Sequence, residues 1–400
     1  MPDTATSTTD ELPRPLDGLK VLDFSRVVAG PFAGRMLSDL GADVVKVEPP
    51  DGDTTRIWGH TVAGLSGFFT QQNAGKRNTS IDIGTDEGRA LVKELVAKAD
   101  IVIENFRPGV MAKHGLGWHD LSAVNPGLVM LSISGFGQTG ADSRRRAYAP
   151  VIHAESGFMA RQARFDDTLP SDPMFSFADS YAGLHGLVGV LAAIHMRDRT
   201  GIGQHLDISM LHSMVATDDY AHNAIDDHPV VRLGGHVFDT PWGATLLAGE
   251  MRFLWYQASR GAGVADPSPP DADLATKQIQ RKQAIGQWLA GFDDRDEMLE
   301  TLDELRIAHA DVLDQSEALD SPTLVERGAV VEVEVEPGIK RRIVDSPYRF
   351  SDAASGVTRP AAHRGVHNTE VMVDWLEMTA EDAQTRTTAL LDSGALTTEL

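Results

Sequence analysis

The chain of 400 residues contains no cysteine. That absence excludes a disulfide framework, a thiolate nucleophile, a Cys-zinc site and an iron–sulfur cluster. Any covalent catalysis must fall to an oxygen or nitrogen nucleophile. Long apolar runs are missing too. The longest, Gly186 to Ile194, is less than half of the roughly 20 residues that cross a bilayer. Met1 to Pro15 is polar and acidic, so neither a membrane span nor a secretory signal is expected, and the expected location is cytoplasmic. Positive charge is also in short supply. Lys and Arg number 36 against 58 Asp and Glu, a net charge of −22. Nucleic acid demands a basic face, so no nucleic-acid partner is expected. An anionic ligand would have to be held by a local basic cluster against the overall field. The histidines follow no HExxH or related spacing, and no metal is expected.

What is present reads as an ordinary globular protein, with 42 % hydrophobic and 24 % charged residues. The length exceeds what one core usually supports, so two domains are expected. Met1 to Glu11 has no apolar period and reads as a disordered tail. Leu19–Phe24 and Ala42–Val47 are short apolar runs suited to buried strands, separated by a helix with Pro31 at its start and Gly41 at its end. Ser80–Ile83, Asp100–Phe106 and Leu128–Ile133 continue the strands, and Thr85–Ala99 is an amphipathic helix with an acidic first turn. Strands alternating with helices predict an α/β fold with a doubly wound parallel sheet. Further on, Ser180–Met196 predicts a buried helix, Gln204–Ile208 a strand and Ser209–Ala224 a helix. The texture changes beyond Ile225, where a smaller domain is placed over 225–325, and Val330–Glu336 alternates as an exposed strand would.

Three features could carry chemistry. The turn Ser25-Arg26-Val27-Val28-Ala29-Gly30-Pro31 is not a G-x-G-x-x-G fingerprint. It is either a tight structural turn or a place where backbone N–H groups at a helix start face an anion. Lys76 and Arg77, Arg107 and Lys113, and Arg144, Arg145 and Arg146 fall near three predicted sheet ends, where open α/β sheets bind ligands. Each alone reads as solvated surface; together they would suit a phosphate. Asp179 is an isolated carboxylate at the start of an apolar helix, either an N-cap or a reacting acid. His185, six residues on, reads as a satisfied core histidine.

Leu19 to Glu48, the run Val102-Ile103-Glu104-Asn105-Phe106-Arg107-Pro108-Gly109, and Ala178-Asp179 through Gly201-Ile202-Gly203-Gln204 resemble the class III CoA-transferases. That family includes formyl-CoA transferase, carnitine CoA-transferase and alpha-methylacyl-CoA racemase. The resemblance spans about 16–215, with an echo at Asp345-Ser346-Pro347. It implies a Rossmann-like large domain from both chain ends (16–224 and 326–400, after a tail over 1–15), a small middle domain and an interlocked homodimer. It implies Asp179 as catalytic nucleophile and Arg26, Val28 and Ala29 along the active-site turn. Lys76, Asn105, Phe106, Lys113 and Arg146 are implied contacts of coenzyme A, which enters as a substrate, with no permanently bound cofactor. The glycine-rich flap of formyl-CoA transferase is at best represented by Gly234-Gly235.

The activity so implied is transfer of CoA from an acyl-CoA to a free carboxylic acid through aspartyl anhydride and aspartyl-CoA thioester intermediates. Val28 replaces the glutamine of formyl-CoA transferase, so that specificity is not implied. A racemase on the same fold would need a histidine where this chain has Tyr148, with His153 nearby but out of register. A non-catalytic acyl-CoA-binding protein would have no need of Asp179.

Overall fold

The apolar runs become strands that are buried on both faces, as parallel strands under helices must be. In the computed structural model, which describes residues 12–228 and 234–398, the chain forms two compact units, 1–221 with 326–400, and 222–325. The disordered tail expected over 1–11 lies outside the described residues. Of the expected 1–15 tail, Pro13 accepts a backbone hydrogen bond from Ala354 and Arg14 donates to the carbonyls of Asp39 and Gly356, so its end is tied to the body.

Among the described residues, the first unit is built on a six-stranded sheet. Its strands are β1 (Lys20–Asp23), β2 (Asp43–Glu48), β3 (Arg77–Ser80), β4 (Ile101–Glu104), β5 (Val129–Ser134) and β6 (Gln204–Ser209). All pairings are parallel, in the order β3-β2-β1-β4-β5-β6. This is the doubly wound order, with a reversal beside β1. The third strand runs over Arg77–Ser80 and not the expected Ser80–Ile83, because its polar side chains are satisfied inside the protein. Asn78 bonds Glu48, and Thr79 bonds Asn368 at 2.8 Å.

Alternation along the strands divides the core. Leu22, Val45, Val102 and Met130 face helix α2 (Asp86–Val96) and the C-terminal helices Asn368–Leu376 and Ala380–Asp392. Val21, Val44, Ile101, Ile103, Val129 and Leu131 face α1 (Ala29–Asp39) and a long helix introduced below. Each such fully buried aliphatic side chain contributes about 1.5–3 kcal/mol. Thr85 caps α2 by accepting the N–H of Gly88 at 3.0 Å.

On the second face lie α3 (Ala149–Glu155), α4 (Phe177–Thr200) and α5 (Met210–Thr217). Helix α4 is long and apolar enough to cross a membrane by length and composition. Here it packs on α1 and the sheet, and two of its glycines make that possible. A Cβ at Gly183 would lie 2.9 Å from the carbonyl of Ala29, and one at Gly186 2.9 Å from Leu131.

The second unit has its own apolar core around Phe238, Leu254, Ile285 and Leu302. Its antiparallel sheet places β8 (Gly243–Ala248) between β7 (Gly235–Thr240) and β9 (His309–Asp311). A strongly charged stretch of this unit forms two helices, Leu274–Leu289 and Arg295–Glu304. Asp294 caps the second, accepting from the N–H of Glu297 at 2.9 Å.

Candidate active site

The chain passes from β1 into α1 through Phe24–Val28, and Val27 has φ of 71°. A β-branched residue in the left-handed region is strained and must be held there. Three side chains do so. Lys46, 1 % exposed within β2, donates from Nζ to the carbonyl of Ser25 at 2.8 Å and to Asp53 at 3.0 Å. Asp53 accepts the N–H of Val27 at 3.3 Å. Asn105, just past β4, accepts the N–H of Arg26 at 2.8 Å and donates back to its carbonyl at 2.7 Å.

Burial opposes the charge on Lys46, but the carboxylates of Asp53, Asp23 and Glu48 outweigh it and hold its pKa above the ordinary value. Burial likewise opposes the charge on Asp53, yet Lys46 and the N–H and hydroxyl of Thr55 pull it down to about 2. The turn is therefore clamped by charges that persist at neutral pH.

Asp179 sits in the first turn of α4, against the start of α1. Burial pushes its pKa up to about 6, opposed by hydrogen bonds from the backbone N–H groups of Ala29 and of Asp179 itself. Two helix N-termini thus converge on one carboxylate, and both favour negative charge there. Glycine at 183 is what lets the two helices approach this closely. The carboxylate opens into a pocket of about 390 Å³ whose walls include Arg26, Val27, Ala29, Asn105 and Phe106, with Arg107, Arg145 and Tyr148 around them.

Glu104 supports the wall from beneath. It is 4 % exposed and accepts the N–H of Phe106 at 2.8 Å. Burial pushes its pKa up to about 7, opposed by the Ser132 hydroxyl and the Phe106 N–H.

Several expected site residues are placed differently. Val28 belongs to the turn but not to the pocket wall; it is 7 % exposed, and Val27 lines the pocket instead. Lys76 is not available to a ligand. It is 1 % exposed and donates to Asp23 at 2.7 Å, to the carbonyl of Pro31 at 2.8 Å and to Asn73 at 3.0 Å. Asn105 lines the pocket, but its amide is occupied by the backbone of Arg26. Arg146 and Lys113 are exposed and lie outside the pocket wall, where Arg145 and Arg107 stand.

Gly235 is paired with Ala248 at the edge of the small sheet and packs against Leu246, while Gly234 accepts a backbone bond from Gly249. This pair stands at the start of a strand of the small sheet. His185 is exposed on α4, bonded to Thr217 at 2.9 Å, and is not a core histidine. His153 is the buried one, at 1 % exposure.

The anchors Lys46 and Asp53 escaped the sequence reading. A lysine inside the apolar run Val44-Val45-Lys46-Val47 is the one local signal that a buried charge awaits a partner.

Residues 16–368 match the family described as CoA-transferase family III. The chain is 32 % identical over 395 residues to succinyl-CoA–D-citramalate CoA-transferase of Chloroflexus aurantiacus, covering 92 % of this chain and 96 % of that one. It is 33 % identical over 384 residues to succinate–glutarate CoA-transferase of Agrobacterium fabrum, covering 90 % and 95 %. A crystal structure of a CAIB/BAIF family protein from Brucella suis aligns with a TM-score of 0.77 at 30 % identity, over 91 % of this chain and 100 % of that one.

Proposed function

Because the chain belongs to CoA-transferase family III and moves CoA from an acyl-CoA to a free carboxylic acid, we propose that Asp179 carries the CoA between them. The carboxylate of Asp179 attacks the donor thioester carbonyl, the C–S bond breaks, and a mixed anhydride and CoA thiolate result. The thiolate attacks the aspartyl carbonyl, expelling the donor carboxylate and leaving an aspartyl-CoA thioester. The acceptor carboxylate attacks that thioester, again releasing thiolate and forming a second anhydride. Thiolate attack on the acceptor carbonyl yields the new acyl-CoA and restores Asp179.

The observation that carries this reading is the Asp179 carboxylate held at two helix N-termini within a pocket. The N–H of Ala29 that bonds the ground-state carboxylate is placed to stabilise the oxyanion when that carbonyl is attacked. A carboxylate is a poor nucleophile towards a thioester, and binding of the long CoA arm away from the reacting carbon offsets the barrier. Coenzyme A is larger than the pocket, so its nucleotide end extends beyond the wall, where Lys113 and Arg146 are exposed to its phosphates.

The acid that receives CoA in this proposal is a small dicarboxylate. The two relatives are named for succinyl, citramalate and glutarate groups. Arg107 lines the pocket without an ion pair among the described residues, which suits a second carboxylate. The proposal includes an interlocked homodimer, in keeping with Leu184 and Val188 of α4, which are 41 % and 65 % exposed in the isolated chain.

Donor acyl-CoA followed by hydroxylamine should modify the peptide that contains Asp179, seen by mass spectrometry. Modification elsewhere, or turnover by an Asp179→Ala variant, would overturn the mechanism. A 2-methylacyl-CoA in deuterium oxide should gain no enzyme-dependent label at its alpha carbon; uptake without a free acid would favour the racemase reading.

A further inference from the structure

Helix α4 begins without a side-chain cap of its own: Ser176 occupies the N-cap position and makes no capping bond. The first N–H groups of the helix must nonetheless be satisfied. Phe177 donates to the carbonyl of Phe175 at 2.9 Å, and Ser180 to that of Ser176 at 3.0 Å. The N–H of Asp179 faces its own carboxylate. The remaining donor, Ala178, belongs to a residue with no exposed surface, where water cannot substitute. It donates to Nε2 of His153 at 3.2 Å.

An imidazole that accepts at Nε2 must carry its proton at Nδ1. That nitrogen lies 2.8 Å from a carboxylate oxygen of Asp172, the acceptor a protonated Nδ1 requires. The ring is 1 % exposed and set edge-on to Phe177, 6.1 Å between centroids. A ring with its proton on Nε2 would aim a donor at the Ala178 donor and displace the residue next to the nucleophile.

We propose that His153 and Asp172 are positioning residues for Asp179: the imidazole caps the helix immediately before the nucleophile, and Asp172 holds the tautomer that allows it. His153 acts through the backbone and is not a base in the reaction, since both its nitrogens are engaged. This inference rests on Asp179 being the nucleophile.

The test uses the full-length enzyme and the rate at which donor acyl-CoA renders Asp179 reactive to hydroxylamine. His153→Ala should slow that rate on the order of tenfold to a hundredfold, the effect of displacing a reacting group by a fraction of its contact distance. Its CoA dissociation constant should change by no more than about twofold. His153→Gln, whose side-chain carbonyl can accept the Ala178 N–H, should recover most of the rate. An unchanged rate in His153→Ala, or no recovery in His153→Gln, overturns the capping role.

Asp172 has a half-exposed side chain, so Asp172→Ala should fold whether or not His153→Ala does. Nitrogen-15 spectra of labelled histidine, assigned by loss of the signal in His153→Gln, should show a neutral Nδ1–H ring in the wild type. In Asp172→Ala they should show an altered tautomer together with slower adduct formation. A wild-type ring protonated at Nε2, or an altered tautomer with an unaltered rate, sinks the proposal. Absence of any hydroxylamine product at Asp179 in the wild type would instead overturn the mechanism on which it rests.

Discussion

The side-chain amide of Asn105 answers both backbone groups of Arg26, accepting its N–H at 2.8 Å and donating to its carbonyl at 2.7 Å. The two residues come from the ends of neighbouring strands, and the bond pair fixes the turn that carries Val27 in a left-handed conformation. Asn105→Ala removes both bonds and leaves two part-buried backbone groups unanswered. The expected loss is about 1–3 kcal/mol of unfolding free energy. It should be accompanied by a fall in kcat larger than any change in CoA dissociation, measured by denaturant titration and calorimetry. A variant that loses CoA affinity alone would mean that Asn105 contacts the coenzyme instead.

Asp179 should make the folded state less stable as pH rises. Its pKa is raised from 3.8 to about 6, so the native state binds its proton more tightly than the unfolded chain does. Stability is therefore lost as pH climbs from the unfolded value through about 6. Asp179→Asn abolishes this dependence and should stabilise the enzyme by about 1–3 kcal/mol at pH 8. The gap should close towards pH 4. Wild-type kcat/KM should rise with pH through about 6, because the proposed nucleophile must be ionised.

Lys76 belongs to the fold and not to the coenzyme. Its pKa is lowered to about 8 by burial, with Asp23 opposing. Lys76→Ala should strand the buried Asp23 carboxylate and cost about 3–5 kcal/mol of stability. Lys76→Met, which fills the same space, should retain its CoA affinity when folded. A specific loss of CoA binding in a stable Lys76→Met protein would restore the lysine as a ligand contact.

The cations around the pocket should separate by the part of the substrate they meet. Lys113→Ala and Arg146→Ala should each weaken binding of intact CoA by about 1–3 kcal/mol, less at high salt. They should leave a pantetheine thioester, which lacks the nucleotide, unaffected. Arg107→Ala should raise KM for a dicarboxylate more than for a monocarboxylate of equal length. Equal effects on both acids would remove Arg107 from substrate recognition.

The alternation of apolar runs with helical segments already determines a doubly wound parallel sheet, because strands buried on both faces permit few other arrangements. The segment containing Asp179 was legible for a related reason. An isolated carboxylate at the head of an apolar helix must be either a cap or a reacting group, and the surrounding run resembled a known family. Which cations line the pocket was not legible. Lys76 and Lys113 look alike in one dimension, yet Lys76 meets Asp23 across 53 residues and disappears into the core, while Lys113 stays in solvent. Asn105 and Arg26 are 79 residues apart, and the bond between them exists only because β1 and β4 are neighbours. His153 finds its role through Ala178, which follows it by 25 residues on another helix. Local pattern sets the elements because backbone geometry and amphipathicity are short-range. Burial, pairing and side-chain orientation depend on which distant segments pack together, and tertiary structure alone decides that.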